Sequence, residues 1–128
     1  MVHKNIDAQK LRLMFTVGAR NLEANKVRVD ALNVFPVPDG DTGTNMNLTL
    51  QAVLKAFERG PADTLTQIVH LIASGSLMGA RGNSGVILSQ LFRGFSRYLD
   101  KKETIDAKDF ANALAAGVDT RSEERRVG

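Results

Sequence analysis

Apolar residues in this 128-residue chain recur mainly at helical spacing. Following Asp7, the residues Leu11, Met14, Phe15, Gly18 and Leu22 share one face, which predicts a first helix to about Asn25, with a short further turn over Val27–Leu32. The pattern then breaks. Pro36, Pro38, Gly40 and Gly43 make residues 33–43 an extended or turned loop, because each proline disfavours helix for itself and for its predecessor. Thr44 is placed to cap a second helix bearing Met46, Leu50, Val53, Leu54 and Phe57, which Gly60-Pro61 ends. Asp63 or Thr64 opens a third, with Leu65, Ile68, Val69, Ile72 and Ala73 on its apolar face. Residues Gly75 to Gly85 read as a second glycine-rich loop, followed by a fourth helix carrying Val86, Ile87, Leu88, Leu91, Phe92, Phe95 and Leu99. Asp106 is placed to cap a fifth (Phe110, Leu114, Val118). The alternation expected of strands is nearly absent, and prolines demote the one candidate, Leu32–Val37. The expected class is all-α.

Composition narrows the function more than the fold. With 43% apolar and 24% charged residues, the chain is an ordinary globular domain. A net charge of +3, no Trp and one Tyr argue against nucleic-acid binding and against a base-stacking surface. The absence of Cys excludes disulfides, thiolate zinc sites and a cysteine nucleophile. No apolar run approaches the ~20 residues of a transmembrane helix, and the first residues lack a signal-peptide core. A cytoplasmic protein is expected. The final stretch, Arg121–Gly128 (RSEERRVG), has no apolar period and equals the translation of AGATCGGAAGAGCGTCGTGTAGGG, the start of a common sequencing adapter. It reads as a foreign tail on a partial domain of residues 1–120, whose natural protein continues further.

The segment Asn33-Val-Phe-Pro-Val-Pro-Asp39-Gly-Asp41-Thr-Gly-Thr-Asn45 is the most informative. Asp39 and Asp41 alternate on an extended segment, so their carboxylates can point the same way, and Gly40 permits a tight turn between them. Such hard oxygen donors suit Mg²⁺, which shares its coordination sphere with substrate phosphates. The helix beginning just after them offers free N–H groups and a positive dipole end to an anion. An EF-hand is excluded: counted from Asp39, its obligatory Gly and Glu positions hold Thr44 and Leu50. An Asp-Gly turn, or capping by Asp41 or Thr44, explains part of the pattern but not two carboxylates together with Asn45.

The second stretch, Gly75-Ser-Leu-Met-Gly79-Ala-Arg-Gly82-Asn-Ser-Gly85, also opens a helix. Closely spaced glycines let backbone N–H groups converge on phosphate, and Ser84 adds a hydroxyl. A tight helix–helix crossing explains the glycines equally well. Neither a Walker A loop nor a dinucleotide fingerprint fits, since no strand precedes it. With His3 terminal and no third His or Cys, His70 makes no zinc site, Met14, Met46 and Met78 read as core filler, and Arg81 suits phosphate or solvent equally.

The stretches NVFPVPDGDTGTNMNLTL (Asn33–Leu50) and GSLMGARGNSGVILSQLFRGF (Gly75–Phe95) closely resemble the ATP-binding subunits of bacterial fatty-acid kinases, whose N-terminal domains are of the dihydroxyacetone kinase L-subunit type. The resemblance extends over nearly all of residues 1–120. It implies an antiparallel helical barrel, incomplete here, with Mg-ATP at one end. It implies metal ligation by Asp39 and Asp41, with Asn33 or Asp30 as the third ligand. It implies nucleotide contacts from Thr42, Gly43, Thr44, Asn45, Gly82, Asn83, Ser84 and Gly85, with Ile87 against the adenine. Thr42 stands where the dihydroxyacetone branch has His, which favours the fatty-acid branch. The implied reaction is phosphoryl transfer from ATP to a fatty acid held by a separate fatty-acid-binding protein, with a homodimer of the full-length protein left open. A small-polyol kinase and a non-catalytic nucleotide-binding regulator are the alternatives.

Overall fold

A computed structural model describes the backbone of residues 5–32 and 40–127, and side chains as far as Asp119. Within that range the chain forms five helices: α1 (Ala8–Ala31), α2 (Thr42–Arg59), α3 (Leu65–Gly79), α4 (Gly82–Leu99) and α5 (Ala107–Val127). They form an all-α bundle in which α1 packs on α2 and α3, α2 on α3 and α4, and α4 on α3 and α5. The short joints set successive helices running in opposite senses. One antiparallel bridge, Ile6 to Ile105, ties the residues before α1 to those before α5.

The core takes in part of each expected face, while Val86, Ile87, Leu114 and Val118, placed on apolar faces by their spacing, are exposed. Leu11, Val53, Phe57, Leu65, Ile68, Val69, Ile72, Phe92, Phe95, Leu99 and Ile105 are buried in one cluster. Phe15 meets the rings of Phe57, Phe92 and Phe95, and Phe95 meets Phe110 edge-on, so four helices share one aromatic centre. Met14 (40% exposed) and Met78 (78% exposed) are not core filler: both lie on outward faces.

Helix ends follow side-chain chemistry where that chemistry is local. Thr64 and Gln67 form a reciprocal capping box at α3. Asp106 accepts from the Asp109 amide at 2.8 Å while Asp109 accepts from the Asp106 amide at 3.1 Å, which starts α5 where the pattern placed it. α2 opens at Thr42 with Asp41 as its N-cap, so Thr44 lies within the first turn rather than capping the helix, and three further boundaries differ from the sequence expectation. α1 is continuous to Ala31, its last turns packing at Lys26 and Val29 on the start of α2. α5 continues through residues 121–127, whose Arg and Glu residues are good helix formers even without an apolar face.

The third difference is the largest. Residues Gly75–Gly79 are the last turns of α3, and the break before α4 is only Ala80 and Arg81. A Cβ on Gly79 would lie 2.1 Å from the Cβ of Ala52, and one on Gly75 would lie 3.0 Å from that of Ala56. These two glycines therefore serve a close crossing of α3 on α2.

Candidate functional site

The two motif stretches meet where α2 and α4 begin. Ser84, in the first turn of α4, donates its hydroxyl to the carbonyl of Thr42 at the first position of α2, over 3.1 Å. Gly82 opens α4 with φ at +64°, a conformation that L side chains rarely adopt. A Cβ there would also lie 2.2 Å from Nδ2 of Asn45. One turn on, a Cβ at Gly85 would lie 2.6 Å from Oγ1 of Thr49, whose hydroxyl donates to the Asn45 carbonyl. Gly82 and Gly85 thus bring the start of α4 against Asn45 and Thr49, a different task from that of Gly75 and Gly79.

Neither N-cap closes its own helix. Asp41 at α2 and Arg81 at α4 make no side-chain cap bond. Arg81 instead turns a guanidinium N–H onto the neighbouring Ala80 carbonyl at 3.1 Å. The α2 start is satisfied from a distance. Asp30, near the end of α1, accepts the Thr44 amide at 3.0 Å through one oxygen and the Thr44 hydroxyl at 2.6 Å through the other. The Thr44 hydroxyl, then its amide, hold the Asp30 carboxyl below its ordinary value of 3.8, with smaller help from the Gly43 amide and Lys26 against partial desolvation. Gly43 is buried against α1, where its missing Cβ would lie 2.4 Å from the Lys26 carbonyl.

Two helix starts side by side present partial positive charge to one place, and Asp41 adds a half-buried carboxylate beside them. That arrangement can hold a cation and an anion together. Asn83 is exposed and Ser84 half-buried in the first turn of α4, and Ile87 is 38% exposed one turn later. Asp39 and Asn33 lie outside the described residues; Gly40, between the two aspartates, has φ at +68°. Among the described residues, no three His, Asp or Glu side chains converge as a metal cluster. His70 is exposed and bonded to Asp100 at 3.0 Å, away from these helix starts. Sequence reasoning missed the cap that Asp30 gives to Thr44. A bond across 14 residues leaves no local spacing to read, and the only available signal was an acidic residue near the end of α1.

The fold is an all-helical bundle in which two glycine-bearing helix starts meet beside Asp41, and the family to which it corresponds is kinase-related. The chain belongs to the DAK2 domain family, the dihydroxyacetone kinase L-subunit-like family, whose model matches residues 36–127. It is 53% identical to protein YloV of Bacillus subtilis over 116 residues, covering 91% of this chain and 21% of that protein. An uncharacterized protein of Staphylococcus saprophyticus is 54% identical over 120 residues, covering 94% of this chain and 22% of that protein. One from Staphylococcus aureus strain USA300 is 50% identical over 107 residues, covering 84% and 20% respectively. The chain thus spans about a fifth of the length of these relatives. No helix among the described residues is long and apolar enough to cross a membrane.

Proposed function

We propose that residues 1–120 are the first part of a nucleotide-binding domain in a longer cytoplasmic kinase, with residues 121–128 a foreign tail. The full-length protein moves the γ-phosphate of ATP onto the carboxylate of a fatty acid held by a separate fatty-acid-binding protein, leaving ADP and an acyl phosphate. The observation that carries this reading is the meeting of the two motifs, with Ser84 bonded to Thr42 and Gly82 pressed on Asn45.

The donor set fits Mg²⁺. Asp41 is a hard oxygen donor at a helix start with no cap bond to make, and Asp39 is two residues before it. Asp39 and Asp41 would hold the metal, with Asn33 the remaining candidate for a third ligand; bound there, the ion neutralises phosphate charge. The chain's own groups do the rest by positioning. The first-turn amides of α4 and the Asn45 side chain offer neutral donors to phosphate oxygens, the Ser84 hydroxyl, spent on the Thr42 carbonyl, holds the two helix starts together, and exposed Ile87 offers an apolar edge to the base. Thr42, Gly43 and Thr44 contribute by fixing the α2 start. No general base is required, because a carboxylate nucleophile is already ionised at neutral pH.

The test is to incubate the full-length protein with labelled ATP and each acceptor in turn. Transfer to a protein-bound fatty acid, and none to dihydroxyacetone or glycerol, is expected. Rapid transfer to dihydroxyacetone alone would move the assignment to a polyol kinase. Tight nucleotide binding without transfer would make the protein a regulator.

A further inference from the structure

Neither helix start in the site is capped by its own N-cap side chain, and among the described residues it is α2 that has an internal anion bound to it. Asp30 faces the first turn of α2 with both oxygens engaged, one by the Thr44 amide and one by the Thr44 hydroxyl. The same turn is pinned to α1 by Gly43, which leaves no room for a side chain between itself and the Lys26 carbonyl or the Val29 side chain. The direction of approach of Asp41 and Asn45 is therefore set by a two-part clamp from the last turns of α1. Asp41 precedes the clamped turn directly, and Asn45, which meets Gly82, follows Thr44 directly. A helix N-terminus that already holds a carboxylate has its electrostatic preference met, so added phosphate charge is better placed at α4.

We propose that Asp30 is a positioning residue: it serves as the N-terminal anion of α2, fixes Asp41 and Asn45 through Thr44, and does not ligate the metal. The inference rests on the Mg-nucleotide reading above for its consequence, but the clamp itself is open to measurement without nucleotide.

The experiment compares Asp30→Ala, Asp30→Asn and Thr44→Val in the full-length protein. Three quantities are read: amide hydrogen-exchange protection of Thr44 and Asn45 without ligand, the Kd for ADP at saturating Mg²⁺, and the Mg²⁺ concentration giving half-maximal ADP binding. Asp30→Ala should lower protection by about tenfold, the usual scale for a lost cap. It should weaken ADP binding several-fold while leaving the half-saturating Mg²⁺ concentration unchanged. Asp30→Asn should recover most of the protection and affinity, because its amide oxygen still accepts from the Thr44 amide, and fall short of wild type only by the share the lost charge supplied. Thr44→Val removes only the hydroxyl donor and should give a smaller loss of protection with no Mg²⁺ shift; it carries the comparison if Asp30→Ala fails to fold. If Asp30→Asn behaves like Asp30→Ala and both need at least about tenfold more Mg²⁺, Asp30 is a metal ligand and the proposal is overturned. Unchanged protection in Asp30→Ala overturns it as well. A wild-type protein that binds no ADP with Mg²⁺ defeats the kinase reading, and the exchange measurement still decides the clamp.

Discussion

Replacing Gly82 by Ala tests the contact between the two helix starts, and its cost can be worked from two separate penalties. The first is backbone strain: Gly82 has φ at +64°, where an L residue loses about 1–2 kcal/mol. The second is the collision with Asn45, whose Nδ2 would lie 2.2 Å from the new Cβ, while ordinary contact begins at 3.4 Å. The obstructing atom is the end of a flexible side chain, so Asn45 yields by about 1 Å at a rotamer cost of about 0.5–1.5 kcal/mol. Total destabilisation should be about 1.5–3.5 kcal/mol, which a folded domain of ordinary stability survives. Turnover should suffer far more. A displacement of about 1 Å in a phosphate-side donor corresponds to a loss of about 10²-fold. Urea denaturation and ATP turnover of the full-length protein would be measured for Gly82→Ala, Asn45→Ala and the double variant. Asn45→Ala should match the turnover loss without the backbone penalty, and the double variant should lose no more activity than either single one. Wild-type turnover in Gly82→Ala would refute the reasoning.

Asp39→Ala and Asp41→Ala should each lower Mg-dependent turnover by at least about 10²-fold, the scale of one lost electrostatic stabiliser; near-normal turnover in either would remove that residue from the metal site. Gly18→Ala in α1, where an added Cβ meets nothing within 4 Å, should raise stability by about 0.5–1 kcal/mol in denaturant titration. Gly79→Ala, with its Cβ 2.1 Å from that of Ala52, should instead cost about 1–3 kcal/mol, and equal stability of the two variants would mean the α2–α3 crossing is not close. The Asp106 carboxyl is held below its ordinary value of 3.8, chiefly by the Asp109 amide, against partial desolvation. Its contribution to stability is therefore full above that value and lost as pH falls through the lowered folded value. Asp106→Asn should flatten the acid limb of the melting temperature against pH, and an unchanged limb would show that the cap does not titrate.

The helices were legible wherever their determinants are local. Leu65, Ile68, Val69 and Ile72 fall on one face at the spacing a buried helix needs, and Thr64 with Gln67 spells its capping box. The Gly75–Gly85 stretch was misread as a loop because glycine content alone does not distinguish a phosphate cradle from a helix that must approach another closely. The interval between Gly75 and Gly79, one helical turn, was the available clue, but its meaning depends on Ala52 and Ala56 of another helix. The candidate site divides in the same way. That Ser84 and Asn45 belong together came from family resemblance, while the Ser84 bond to the Thr42 carbonyl required the bundle. Asp30 entered only as the alternative to Asn33 for the third metal ligand that the family resemblance implies; its bond to Thr44 depends on α1 running on to Ala31.

The most direct measurement is a crystal structure of the full-length protein with Mg²⁺ and a non-hydrolysable ATP analogue. The β- and γ-phosphates should lie against the first turn of α4 and the Asn45 side chain, with metal density on the carboxylates of Asp39 and Asp41. Nucleotide bound elsewhere, or metal that leaves Asp41 untouched, would contradict the Mg-nucleotide reading.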